Sequence, residues 1–372
     1  MTAARVPFMS LVPGPDAPLI REAIERVITR GWFILGPELA AFETEFAAAS
    51  GAAHAIGVGT GTDALALALR AMGVGPGDEV ITAPLSAAYT ALAILMAGAT
   101  PVFADLDDDR MTIDPAAVEA AITSRTAAIM PVHIYGQAAD MTAIAAIAAR
   151  HDLAIIEDAC QAHLAVCDGR PVGTFGAAGA FSFYPTKNLG ALGDAGAIVT
   201  NDGSLADKLR RLRNGGQTDR YLHVESGVNS RLDEIQAAIL RARLPLLAGW
   251  TGRRRALAAR YRQTLASAPV RVPREHDAGH AYHLFPLRVT NRDGFQAHLE
   301  QVGIGTLVHY PIPVHRQPAL ADLAPAHCPV ADRVCNEVVS VPLHPHLSDA
   351  EADAVSAAVR TWPGPAPSPD SR

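Results

Sequence analysis

Along the first half of the chain, short apolar runs alternate with alanine-rich segments of helical period, and this rhythm restricts the fold more than any other feature. Strand-sized runs at Glu79–Ala83, Pro101–Ala104, Ala127–Val132, Ala154–Glu157, Ala178–Phe183 and Ala197–Thr200 are separated by helical patterns over 63–72, 86–97, 114–122 and 140–150. Strands joined by crossover helices lie parallel. The spacing therefore predicts an α/β fold with a mostly parallel sheet flanked by helices. A helical stripe over Arg231–Leu244 is interrupted by Pro245, and an arginine-rich helix is expected over Thr251–Leu265. Because 372 residues exceed what one core serves, we expect a large domain over 1–245 and a smaller one over 246–362. The Pro- and Ser-rich tail, 363–372, reads as disordered.

A net charge of -7 argues against an electrostatic grip on nucleic acid or an anionic membrane surface. No apolar stretch is long enough to span a membrane, and Met1–Ser10 lacks the pattern of a secretion signal. The chain reads as cytoplasmic. Cys160, Cys167, Cys328 and Cys335 form no CxxC pair and read as buried thiols.

Three stretches carry chemistry. In Gly57-Val58-Gly59-Thr60-Gly61-Thr62-Asp63, a glycine-rich turn opens a helix. Unpaired N–H groups and the helix dipole suit a phosphate there; the alternative is a plain turn capped by Asp63. Neither a Walker A nor a Rossmann glycine pattern is present. In Ile155-Ile156-Glu157-Asp158-Ala159-Cys160-Gln161-Ala162-His163, a strand ends in two carboxylates. Ligands of parallel sheets bind at such carboxyl ends, where Asp158 could pair with a cationic ring nitrogen. Equally, the two acids could cap a helix and His163 could be a core histidine. His163 has no partner at metal-ligand spacing, so no metal is expected. The third stretch is Ala180-Phe181-Ser182-Phe183-Tyr184-Pro185-Thr186-Lys187-Asn188-Leu189-Gly190. A lone lysine in such a loop is ordinarily a solvated side chain.

The neighbours change that reading. Ser182 to Asn188 resembles the Schiff-base lysine loop of the DegT/StrS sugar aminotransferases, enzymes dependent on pyridoxal 5'-phosphate (PLP). Gly36-Pro37 with Glu43, Pro131 to Gln137, Asn229 to Ala237, Gly305-Thr306, His309-Tyr310-Pro311 and Gln317-Pro318 extend the resemblance over nearly the whole chain. It implies fold type I: a seven-stranded, mostly parallel sheet and a small α+β domain, with an N-terminal segment that can pack on the latter. Lys187 would hold PLP as a Schiff base and Asp158 would face its ring nitrogen. Gln161 would lie near its phenolic oxygen, and Gly61, Thr62 and Ser182 would bind its phosphate. Asn229 would reach the phosphate of the neighbouring subunit, implying a homodimer with shared active sites. L-Glutamate would be the amino donor and a nucleotide-linked (dTDP or UDP) 3-keto or 4-keto sugar the acceptor, with a keto-cyclitol as the alternative.

The sequence also departs from that family. The loop Pro84-Leu85-Ser86-Ala87-Ala88-Tyr89-Thr90 offers Tyr89 as its aromatic ring to stack on the cofactor, the alternative being a core tyrosine. Leu164 follows His163 where glycine is common, and Val228 precedes Asn229 where an aromatic is usual. His163, His309 and Tyr310 are the candidate substrate contacts. A related sugar dehydratase would replace the lysine by histidine, and Lys187 is intact.

Overall fold

The computed structural model describes residues 6–323 and 326–364. The expected disorder of the tail falls, from residue 365 on, outside the described residues. Seven strands form the main sheet: β1 (His54–Val58), β2 (Glu79–Thr82), β3 (Thr100–Phe103), β4 (Thr126–Met130), β5 (Ala154–Asp158), β6 (Ala178–Ser182) and β7 (Gly196–Thr200). Their spatial order is β1-β7-β6-β5-β4-β2-β3, and β7 alone runs against the other six.

Alternation explains why these strands are so apolar. Ile81, Ile129, Ile155 and Val199 join one core, while their chain neighbours Val80, Ala128, Ile156 and Ile198 join another on the opposite face. Helices cover both. On the first face lie α2 (Pro37–Ala49), α5 (Pro115–Ala121), α6 (Met141–His151), α8 (Glu234–Arg243) and α11 (Pro329–Glu337); on the second lie α3 (Gly61–Ala71), α4 (Tyr89–Ala97) and α7 (Gly203–Leu212). Outside them, α1 (Ala17–Arg30) packs Ala23 and Val27 on Ala238 of α8. Each aliphatic side chain buried in this way contributes about 1.5–3 kcal/mol, so the sheet is a rigid platform.

A third core gathers Leu257 and Tyr261 of α9 (Leu247–Thr264), the antiparallel pair β8 (Phe285–Arg288) and β9 (Val338–Val341), α10 (Arg292–Gln301) and α12 (Asp349–Arg360). Val6 packs into it and bonds Gly303 and Gly305 through its backbone, so the N-terminal segment sits against C-terminal elements. The turn Leu244–Leu246, containing Pro245, separates α8 from α9.

Four helix starts differ by two or more residues from the sequence expectation, the arginine-rich helix expected from Thr251 beginning at Leu247, directly after the Leu244–Leu246 turn. The helix expected from residue 86 begins at Tyr89; the chain before it stays a loop, and Ser86 in that loop bonds Thr90 side chain to side chain. The helix expected from Arg231 begins at Glu234. The helix expected from Asp63 begins at Gly61 and is capped by Thr60, whose side chain accepts the N–H of Asp63 at 2.9 Å.

Helix α2 has no side chain at its own cap, Gly36. The fully buried carboxylate of Glu234 caps it instead, accepting the N–H groups of Gly36 (3.0 Å), Glu38 (2.9 Å) and Leu39 (2.8 Å). Hydrogen bonds to a charged acceptor contribute more than neutral ones, and truncation would strand three donors. We expect Glu234→Ala to cost on the order of 3 kcal/mol in urea unfolding, with Glu234→Gln recovering part of it. An unchanged midpoint in both variants would refute the cap.

Candidate active site

The carboxyl ends of six strands and the start of the reversed β7 share one edge of the sheet. Register aligns them: Val58 and Ser182 both face Gly196, and Asp158 faces Ala180. A cavity of about 550 Å³ opens there, within the size range of cofactor sites. Of the residues picked out by sequence, Gly61, Thr62, Tyr89, Asp158, Gln161, Ser182, Lys187, His309 and Tyr310 line it.

The glycine turn is held from several sides. Glu43 accepts the N–H of Gly57 (2.8 Å), Arg213 donates to its carbonyl (2.7 Å), and the two side chains pair with each other. Ser230 accepts from the N–H of Gly59 (2.9 Å) and donates to Asp63 (2.7 Å), so Asp63 braces the turn rather than capping it. With Asp63's N–H taken by Thr60, the N–H groups of Gly61 and Thr62 remain as first-turn donors beside the Ser182 hydroxyl. A Cβ on Gly61 would stand 2.8 Å from both Cys160 Sγ and Ser182 Cβ. Only glycine leaves the backbone open to an anion there.

The two acids ending β5 divide their work. Glu157 is fully buried and accepts N–H groups from Gly173 (2.7 Å), Phe175 (2.7 Å) and Gly176 (2.9 Å), with His133 Nε2 at 3.1 Å. It is a structural anchor, and turns rather than a helix come after Asp158. Asp158 faces the cavity; its Oδ2 accepts the Thr90 hydroxyl (2.8 Å) and its Oδ1 the N–H of Cys160 (3.2 Å). Gln161 accepts the N–H of Tyr135 (2.7 Å) and donates to the Tyr310 hydroxyl (3.1 Å).

Lys187 reaches the same cavity from the loop after β6. Burial pushes its ammonium below the usual lysine range, and the nearby Cys160 and Asp158 offset only part of the shift. A lysine amine with a lowered pKa is a competent nucleophile.

Two sequence candidates lie elsewhere. His163 is buried behind the cavity wall, its ring against Phe181 and Phe183, and it does not line the cavity. Asn229 is exposed and outside the cavity, next to Ser230. Tyr89 lines the cavity and is 63 % exposed, which sets aside the core-tyrosine alternative. Cys160 also lines the cavity, whereas Cys167, Cys328 and Cys335 are buried in the core. Ser86, Thr90 and His283 line it without having been singled out. A hydroxyl in the otherwise apolar α4 was the available signal for Thr90.

The buried histidines give the fold a pH dependence. Burial, aided by nearby lysine or arginine charge, lowers His163 and His280 to about 3 and His309 and His344 to about 4. Folded and unfolded chains are both neutral at these positions above about pH 7, and the unfolded chain protonates first below about 6.5. Stability is thus complete above that range and falls as pH drops toward 4. Thermal midpoints should be flat from pH 7 to 8 and decline below 6; a constant midpoint down to pH 5 would contradict this.

A model of the DegT/DnrJ/EryC1/StrS aminotransferase family matches residues 16–360. The chain belongs to this family. It is 49 % identical over 367 residues to a dTDP-3-amino-3,4,6-trideoxy-alpha-D-glucose transaminase of Streptomyces venezuelae, covering 96 % of each chain. A crystal structure of S. venezuelae DesV in complex with a ketimine intermediate superposes with a TM-score of 0.94 at 48 % identity, covering 96 % of this chain and 98 % of that one. Bacillus subtilis NtdA with bound cofactor PMP superposes at 0.89 with 33 % identity, covering 95 % and 84 %. The cofactor of this aminotransferase is PLP, and the cavity suits it. A backbone cradle opened by a glycine, a lysine of lowered pKa and a carboxylate with acceptor capacity to spare line one space.

Proposed function

We propose that this aminotransferase moves the amino group of L-glutamate to the keto carbon of a nucleotide-linked deoxysugar, C3 of a dTDP-sugar being the first choice. The observation that carries the reading is the convergence of Lys187, Asp158 and the Gly61–Thr62 cradle on one cavity. PLP supplies the electron sink that lets the amino acid lose its α-proton. Gly61, Thr62 and Ser182 hold the phosphate, Asp158 keeps a proton on the ring nitrogen, and Lys187 Nζ takes and returns the migrating proton. His309, its Nδ1 held 3.0 Å from Ser340 Oγ and its pKa lowered by burial to about 4, presents an uncharged imidazole to the sugar. Beside it, the Tyr310 hydroxyl stays protonated, burial raising it to about 12. The choice of a dTDP-linked 3-keto sugar is supported by the named activity of the S. venezuelae relative.

The enzyme works as a homodimer in which Asn229 reaches the partner's phosphate and Tyr89 stacks on the cofactor ring. Exposed Trp32 and Phe33, adjacent in the chain, and exposed Tyr221, Leu222 and Val224, within four residues, support an interface, since clustered apolar exposure marks association surfaces. Cytoplasmic residence is supported by four free cysteines; no helix among the described residues is long and apolar enough to cross a membrane.

The test is a two-stage absorbance assay. Glutamate should bleach the visible band of the PLP form, and a dTDP-linked 3-keto sugar should restore it while gaining an amino group by mass spectrometry. Restoration by keto-cyclitols alone would move the acceptor to that class, and no bleaching by glutamate would refute the donor.

A further inference from the structure

A buried chain of oxygen atoms ends on the carboxylate assigned to the cofactor ring. Ser86 Oγ lies 2.7 Å from Thr90 Oγ1, and Thr90 Oγ1 donates to Asp158 Oδ2 over 2.8 Å. Ser86 and Thr90 are 5 % and 2 % exposed, and both line the cofactor cavity. An ionised carboxylate only accepts, so the Thr90 proton points at Asp158 and the Ser86 proton is left to fill the Thr90 oxygen.

The geometry also shows what Thr90 forgoes. A threonine in a helix commonly turns its hydroxyl back onto a carbonyl of the preceding turn. Here the Ala87 carbonyl is 3.4 Å away, beyond good bonding distance, while Asp158 is at 2.8 Å. The hydroxyl is therefore committed across 68 residues of sequence, from α4 to the end of β5. On the other side of the carboxylate, Cys160 N–H donates to Oδ1 at 3.2 Å. Each oxygen of Asp158 thus carries one fixed donor, and the plane of the carboxylate is set from both sides.

We propose that Thr90, ordered by Ser86, is a positioning residue for transamination: it holds the Asp158 carboxylate in the one orientation that presents a free acceptor direction to the ring nitrogen. The proposal rests on the transaminase reading of the site. It assigns Thr90 no contact with the reacting atoms. Its effect passes through Asp158, and that is what separates it from a merely structural hydroxyl.

A double-mutant cycle on the holoenzyme tests this, with the single-turnover rate of band bleaching by glutamate as the readout. Thr90→Val keeps the shape and removes the donor; it should slow bleaching about ten-fold or more, since the lost bond is to a charged group. PLP affinity should stay nearly unchanged. Thr90→Ser should restore most of the rate, and Ser86→Ala should give a smaller loss of the same kind. In an Asp158→Asn background, Thr90→Val should change the rate little. Equal slowing in both backgrounds, or wild-type bleaching by Thr90→Val, would overturn the proposal. If Thr90→Val does not fold, Ser86→Ala in the same two backgrounds gives the same decision. A wild-type enzyme that glutamate leaves unbleached would overturn the transaminase reading itself, whereas a fast Thr90→Val overturns the positioning role alone.

Discussion

Replacing Lys187 by alanine should leave a folded protein without the visible band of lysine-bound cofactor and with turnover reduced by roughly 10⁴-fold, the upper end of what one positioned acid–base group contributes. The size reflects two duties resting on one atom. In the proposed mechanism Nζ both anchors the cofactor and moves the proton, and the cavity offers no second lysine among the described residues. The fold should not suffer. Burial already disfavours the ammonium form of Lys187, so its removal strands no ion-paired partner. A Lys187→Ala protein that keeps both the normal band and more than about a hundredth of the activity would remove Lys187 from the mechanism. A thermal midpoint close to wild type should accompany the loss and separate chemistry from stability.

Asp158→Asn should lower kcat by roughly 10² to 10³-fold, comparable to deleting one preorganised electrostatic partner at a reacting centre. Asparagine has the shape of aspartate and can still accept from Cys160 N–H or Thr90, but it brings no negative charge to hold a proton on the ring nitrogen. The loss should fall on kcat rather than on KM for the sugar, because in the proposed site the carboxylate would face the cofactor ring rather than the sugar. Steady-state kinetics with the band-restoring acceptor would show it. A variant with normal kcat would mean that the ring nitrogen needs no anion here.

Much of this site was legible because its parts are local. The turn at Gly57–Asp63, the acid-tipped strand at Asp158 and the loop that carries Lys187 each lie within a few residues of a strand end. Strand polarity then brings such junctions to one edge of the sheet. The central strands were equally readable, since a strand buried on both faces must be apolar throughout. Element starts were less so. The beginning of α3 was set by the Thr60 hydroxyl, which accepts a first-turn N–H, whereas α4 and α8 begin with no side-chain cap, so periodicity has no local mark to read at their starts.

What the sequence by itself determined was the α/β rhythm, the candidacy of Lys187 and Asp158, both of which line the cavity, and the family resemblance, because these depend on short-range order and residue type. The tertiary structure alone decided which polar groups meet. Glu234 caps α2 from 198 residues away, and Thr90 braces Asp158 from 68. It also turned His163 into the wall against two phenylalanines while leaving His309 and Tyr310 on the cavity. The physical reason is the same in each case. A hydrogen bond or a packed ring is selected by distance in space after the chain has closed, and residue spacing along the chain carries no record of that distance.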